Sequence, residues 1–225
     1  MGSTDWEARY AADPDPFDVR TSWYERRKIQ VVLASLTRER YAVAWDAACG
    51  TGDLAVELAQ RCGSVLASDA STTAAQLAAE LAWQQGISAV TTATHALPDP
   101  PPADDLDRPV DLVVLSEVLY YLPEQDRAAT ARTVLDLLAP GGEVVSVHWR
   151  HHPHDAHLSG ADATAELHEA LDAGGLTRAV HHDDADFVSA HWTRPGDAAE
   201  PGTEPGTEPP HAPTPEDATT EEDPR

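Results

Sequence analysis

The sequence predicts an α/β protein: a doubly wound, mostly parallel seven-stranded sheet that ends in an antiparallel hairpin. Three observations carry this. Short apolar runs alternate with helical patterns from Tyr41 to Trp149, which is the signature of βαβ units. A glycine turn, Cys49-Gly50-Thr51-Gly52, directly follows the first apolar run. Near the C-terminus two strand-like runs are separated only by Asp183-Asp184-Ala185-Asp186, too short a link for a parallel crossover.

Residues 1–40 precede the first strand and read as a helical lid. Trp6 to Tyr10 starts a short helix, and Asp13-Pro14-Asp15-Pro16-Phe17 is a turn because proline fixes φ and disfavours helix before it. A helix capped by Thr21 or Ser22 then runs through Leu33, with Trp23, Arg26 or Arg27, and Gln30 sharing a face. Strand one, Tyr41 to Trp45, ends at Asp46 and is followed by a helix to Arg61. Ser64–Asp69 is strand two, and Ser71 caps a helix reaching Gln85. Ala89–Thr94 is strand three, an acidic proline-rich loop occupies 95–108, and Val110–Ser116 is strand four. Pro123 opens a helix at its first position, and Pro140-Gly141-Gly142 stops the chain before strand five, Glu143–His148. A helix over Ala161–Ala173 ends at Gly174-Gly175, and the hairpin strands are Leu176–His182 and Phe187–Trp192. The expected organisation is a lid (1–40), a catalytic α/β domain (41–194) and an acidic Pro/Glu/Thr/Gly tail (195–225). The tail repeats Glu-Pro-Gly-Thr and has no large apolar residue, so disorder is expected there.

The chain of 225 residues carries 39 acids against 15 Lys+Arg, a formal charge of −24. The tail holds nine of those acids and one arginine, so the remainder is strongly acidic as well. Such a field repels nucleic acid and anionic membranes, which argues against both as partners. Cys49 and Cys62 form no CxxC pair and read as reduced thiols. The polar N-terminus and the lack of a long apolar run predict a soluble, cytoplasmic protein.

The strand–glycine turn–helix unit is the usual start of a nucleotide-type site in an open sheet. Asp46, just before the turn, favours a ligand with a cationic or hydroxyl-rich part over a pyrophosphate, which prefers bare helix N–H groups. Asp69, at the end of strand two, is placed to accept ribose hydroxyls; its plainer reading is a strand-end acid before Ser71. Gly50-x-Gly52-x-x-Ala55 with Asp69 also fits a dinucleotide fingerprint. Against an oxidoreductase stand the long segment before strand one and the expectation that no second catalytic domain follows. Ser116-Glu117-Val118-Leu119-Tyr120-Tyr121 follows strand four at the ligand-binding edge. Five histidines crowd His148–His157; their spacing matches no standard zinc site, so no metal is expected.

The chain resembles the class I S-adenosylmethionine-dependent methyltransferases, and more narrowly the nodulation protein S group. The resemblance rests on Asp15-Pro16-Phe17, Trp23-Tyr24-Glu25-Arg26-Arg27, Asp46 through Gly52, Ser116 through Leu122, Leu138 through Gly142 and His148-Trp149-Arg150. It implies a Rossmann-like fold with S-adenosyl-L-methionine as cofactor, held by Asp46, Ala48, Gly50, Gly52, Asp69, Ala70, His95, Ala96, Ser116 and Glu117. It implies a small-molecule acceptor, such as the amine of a de-N-acetylated amino sugar or oligosaccharide. Trp23, Tyr24, Arg27, Tyr121, Trp149 and Arg150 are the expected substrate contacts; His148, Glu117 and Tyr120 are the expected catalytic groups. O-methylation of another metabolite is the first alternative, followed by an NAD-dependent oxidoreductase or a catalytically silent cofactor-binding protein. Two departures stand out. The family commonly has glycine where Ala48 stands, which predicts a backbone there that avoids positive φ. Strand three lacks the usual adenine-reading acid, leaving a backbone N–H near His95 or Ala96 for that task.

Overall fold

The computed structural model describes residues 4–106 and 109–196, so the expected disordered tail lies outside the described residues beyond Gly196. Strand β1 (Tyr41–Ala47) sits at the centre, flanked by β2 (Cys62–Asp69) and β4 (Val110–Ser116). The sheet runs β3-β2-β1-β4-β5-β7-β6, completed by β3 (Val90–Thr94), β5 (Leu138–Trp149), β6 (Thr177–Asp183) and β7 (Phe187–Thr193). β1 to β5 are mutually parallel, and β7 is antiparallel to both β5 and β6, as the short link requires. The strand order reverses between β1 and β4. A crevice therefore opens at their carboxyl ends, where open α/β sheets hold ligands.

β4 reads Val-Asp-Leu-Val-Val-Leu-Ser and is covered on both faces, which is why it lacks polar alternation. Its one charge, Asp111, accepts the Ala42 and Val43 N–H groups at 2.9 and 2.8 Å and pairs with Arg38 at 3.1 Å. Alternate residues of each central strand feed two cores. Trp45, Val113, Leu115 and Val144 pack with helices α5 (Glu124–Leu137) and α6 (Gly160–Ala173). Ala44, Val114, Val145 and Val147 pack with α2 (Trp23–Ser35) and α3 (Asp53–Leu58). Helix α4 (Thr72–Gln84) buries four alanines against the sheet, so it lies close.

Several boundaries differ from the sequence reading. Helix α3 stops at Leu58, because Ala59–Arg61 turn tightly and Arg61 C=O receives the N–H of Tyr41. β2 starts two residues early. Pro123 is the cap of α5, with an extended ψ of 159°, rather than its first helical residue. Pro140-Gly141-Gly142 does not separate α5 from β5: the strand begins at Leu138 and absorbs the three residues as an irregularity opposite Val110–Leu112. Gly141 takes φ +71° there. Arg194 stitches this bend, donating to the carbonyls of Leu135 and Leu138 at 2.6 Å. Among the described residues no helix is long and apolar enough to cross a membrane.

Candidate active site

A cavity of about 770 Å³ fills the crevice at the switch point. Its floor is the turn after β1. Ala48, Gly50 and Gly52 all take positive φ, at 64°, 54° and 82°. The expectation that Ala48 avoids positive φ is therefore wrong: the turn imposes the left-handed conformation on a residue with a Cβ, at a cost of about 1 kcal/mol. The turn tolerates this because its frame is fixed on both sides. Cys49 N–H donates to Ser68 C=O at 2.8 Å, and Gly52 N–H to Cys49 C=O at 3.0 Å. Gly50 and Gly52 are required by space as well as φ. A Cβ on Gly50 would lie 2.9 Å from the Tyr10 hydroxyl, and one on Gly52 2.6 Å from Ala78 Cβ.

Asp46 lies at the mouth of this turn, 1 % exposed, and neither carboxylate oxygen makes a hydrogen bond among the described residues. Burial, reinforced by the neighbouring Asp69 carboxylate, pushes its pKa up to about 7. Asp69 is anchored by Gly50 N–H at 3.0 Å on one oxygen and Ser71 N–H at 2.9 Å on the other. Each oxygen keeps acceptor capacity for a ligand hydroxyl. Burial raises its pKa while these backbone bonds oppose the rise. At the end of β3, both ring nitrogens of His95 are buried without a hydrogen-bond partner, with the ring edge-on to Trp45. His95 N–H is already donated to Asp69 C=O, so of the two backbone donors expected there only that of Ala96 is left for a ligand. Ala70 and Ser116 also line the cavity; Gly52 supports it from behind, packed on α4.

The opposite wall is built around Glu117, the residue after β4, held at φ +54°. Its Oε1 accepts from Lys28 Nζ at 2.7 Å and the Tyr24 hydroxyl at 3.0 Å. Its Oε2 accepts from Trp149 N–H at 2.7 Å and the Tyr120 hydroxyl. Burial alone would raise its pKa, but Lys28, His148 and these hydrogen bonds bring it down to about 2. Glu117 is thus a permanently ionised, saturated carboxylate, unsuited to the expected role of a base. Lys28, 3 % exposed, bridges Glu117 and Glu25, each at 2.7 Å. Burial opposes its charge, yet the two carboxylates hold its pKa above the ordinary lysine value. Burial raises the pKa of Glu25 against the pull of Lys28.

His148 does not reach the cavity. It is fully buried behind Tyr120; its Nε2 accepts the Leu119 N–H at 3.2 Å, and its Nδ1 meets the Ser146 hydroxyl at 3.0 Å. The accepting Nε2 leaves the proton on Nδ1. Burial lowers its pKa to about 4, so it is a neutral brace for the loop after β4 and not the expected base. Tyr120 lines the cavity, but burial and Glu117 push its pKa well up, so it acts as a hydroxyl donor.

The expected substrate residues divide. Tyr24, Tyr121 and Trp149 line the cavity. Trp23, 65 % exposed, does not. Arg27 turns away to pair with Asp184 and Asp186 and to lie over the Phe187 ring. Arg150 pairs with Asp183 at the hairpin tip. The face of α2 that meets the cavity is Tyr24, Lys28 and Val32, spaced four residues apart, rather than the face of Trp23. Lys28, Glu25 and Tyr10 were missed in the sequence; the four-residue spacing of Tyr24 and Lys28 was the signal for the lysine. The roof is helix α1 (Trp6–Ala12). Glu7 binds the Ser71 and Thr73 hydroxyls, Arg9 pairs with Asp155 at 2.8 Å, and Trp6 packs edge-on to Tyr121. Of the histidine-rich loop, Pro153 and His157 line the cavity, whereas His151 and His152 bond to backbone carbonyls. Among the described residues no group of three His, Cys, Asp or Glu is arranged to hold a metal ion.

A methyltransferase-domain family profile matches residues 44–142. A putative methyltransferase from Pseudomonas syringae is 34 % identical, with 77 % of this chain and 100 % of that one aligned and a TM-score of 0.63. The N-methyltransferase NodS from Bradyrhizobium japonicum WM9, solved with S-adenosyl-L-homocysteine, is 22 % identical over 84 % of this chain and 96 % of that one, TM-score 0.68. An O-methyltransferase family protein from Burkholderia thailandensis is 16 % identical over 84 % and 63 % of the respective chains, TM-score 0.66. A search of curated proteins finds no match.

Proposed function

Because the chain belongs to the methyltransferase family, we propose that it moves a methyl group from S-adenosylmethionine to the amine of a small molecule, with an amino sugar as the leading candidate. S-adenosylmethionine is the cofactor, and it supplies an electrophilic methyl group on a sulfonium. The residues present fit it. The glycine turn lets a ligand lie against the backbone, Asp69 keeps acceptor capacity for hydroxyls, and His95 and Ala96 offer polar groups for a base edge. Asp46 is a buried carboxylate without a protein partner, which suits an ammonium and not a phosphate.

The observation that carries the amine reading is the charge of the cavity. Asp46, Asp53, Asp69, Glu25, Glu117 and Asp126 line it against Lys28, and among the described residues no arginine does so. Such a wall attracts a basic acceptor. The rings of Tyr121 and Trp149 give it flat faces on which a sugar or a cationic group can rest. Methyl transfer gains mainly from alignment and exclusion of water, and the roof of Trp6 and Tyr10 provides both. An amine must lose its extra proton to attack. Glu25 suits that task better than His148 or Glu117: its pKa is raised, and Lys28 bonds one oxygen while the other makes no hydrogen bond among the described residues. Glu117 stays ionised and orients Tyr24 and Tyr120.

The test is turnover with methyl-labelled cofactor on matched acceptors: glucosamine, its short de-N-acetylated oligomers, and phenolic or catecholic hydroxyl compounds. Label on nitrogen is the expected result. Label on oxygen alone would replace the amine reading, and binding of NAD in preference to S-adenosylhomocysteine would remove the whole assignment.

A further inference from the structure

Asp46 has a feature the transfer reaction does not use. It is a buried acid that lines the ligand cavity and has no cation paired to it among the described residues. Its neighbours add negative or neutral groups. Asp69 from β2 raises its pKa, and the Cys49 thiol in the turn is itself pushed well up by burial and by these two acids. Tyr10 from α1, His95 just after β3 and Glu117 just after β4 line the same cavity. The one lysine there, Lys28, is committed to Glu25 and Glu117 at 2.7 Å each, and Asp46 forms no salt bridge among the described residues. Burial without a partner favours the neutral acid, so below about pH 7 Asp46 holds a proton until a cation arrives.

We propose that Asp46 receives the ammonium group of the cofactor by giving up a proton, so that cofactor binding and proton release are one event. This rests on the cofactor reading above. The balance is simple. A neutral carboxylic acid and a ligand ammonium become a carboxylate–ammonium pair, and the displaced proton goes to the buffer. The ammonium then supplies the cation that Asp46 lacks. With Asp46 at about 7, the acid form dominates at pH 6 and the carboxylate at pH 8. Only the carboxylate form pairs, so affinity should fall about tenfold from pH 8 to pH 6. The device makes the protein a weaker cofactor binder in acid.

The experiment is calorimetric titration of the full chain with S-adenosylhomocysteine at pH 6, in buffers of low and high ionisation enthalpy, repeated at pH 8. The parallel probe is 5′-methylthioadenosine, which keeps the adenosine and sulfur but has no ammonium. Release of close to one proton at pH 6, little at pH 8, and none with 5′-methylthioadenosine is expected. Asp46→Asn should bind S-adenosylhomocysteine with a flat pH profile and without proton release. Binding of S-adenosylhomocysteine with no proton release at either pH overturns the coupling and leaves the cofactor assignment standing. The same release with 5′-methylthioadenosine overturns it too, because the ammonium is then not the trigger. Failure of S-adenosylhomocysteine to bind at any pH overturns the cofactor reading together with the coupling. The wild-type measurements decide the matter even where the Asn variant does not fold.

Discussion

At the scale of single residues, the site is defined by which polar groups are satisfied and which are not. His148 and Glu117 have their bonding capacity filled by neighbours; Asp46 and His95 do not. The first pair therefore braces the structure, and the second faces ligand. His148→Ala tests this division. It would leave the buried Leu119 N–H without an acceptor, an expected loss of about 1–3 kcal/mol in urea unfolding. Turnover should fall only as far as the loop after β4 loosens. A variant with wild-type stability and cofactor affinity but no turnover would return His148 to catalysis.

At the scale of elements, the cavity belongs to the sheet on one side and to the N-terminal helices on the other. Helix α2 is joined to the loop after β4 by the bonds of Lys28 and Tyr24 to Glu117. Helix α1 is joined to the start of α4 through Glu7 and to the histidine-rich loop through Arg9. These contacts cross large distances in sequence, so the N-terminal segment is a wall and roof of the site and not an appendage. Lys28→Met keeps the stem of the side chain and removes its charge. Glu25 and Glu117 would then share a buried region without a cation, and a stability loss of about 3–5 kcal/mol is expected by thermal or urea unfolding. Cofactor affinity should drop with it. Unchanged stability would mean that the bridge contributes nothing to docking α2.

At the scale of the whole molecule, two buried acids give stability opposite dependences on pH. Glu143, on the interior strand β5 and not among the residues lining the cavity, accepts from the Tyr41 hydroxyl at 2.5 Å and from Thr37, and lies 2.9 Å from His191. Burial works to raise its pKa, but these partners lower it to about 2 from an ordinary 4.5. A depressed pKa stabilises the fold above the unfolded value and loses that contribution as pH falls through the folded one. Asp46 has the reverse sign. Its raised pKa favours the cofactor-free fold below about 4, and that advantage is lost as pH rises through about 7. Glu143 therefore contributes about 3 kcal/mol above about pH 5, and that contribution is lost as pH falls toward about 2. Urea unfolding at about pH 3 and pH 5 is the measurement: Glu143→Gln should lose less stability between them than the wild type. Equal losses would remove Glu143 from the acid response.

The sequence by itself determined the alternation of strands and helices, the antiparallel end of the sheet and the position of the glycine turn. Those features are written in local patterns: apolar runs of strand length, a link too short for a crossover, and glycines where backbone must turn. It also placed Asp46, Asp69 and Glu117 at strand ends, because a strand that ends in an acid is visible as such. Tertiary structure decided what those acids do. Glu117 is saturated by Tyr24 and Lys28, 93 and 89 residues away, and no local pattern records such partners. Likewise Ala48 takes a left-handed φ that its side chain disfavours, because the carbonyl of Ser68 and the carboxylate of Asp69 fix the turn from the next strand. Burial and hydrogen bonding are properties of the assembled molecule, and they set which histidine is a brace, which glutamate is an anchor and which aspartate is left to meet a ligand.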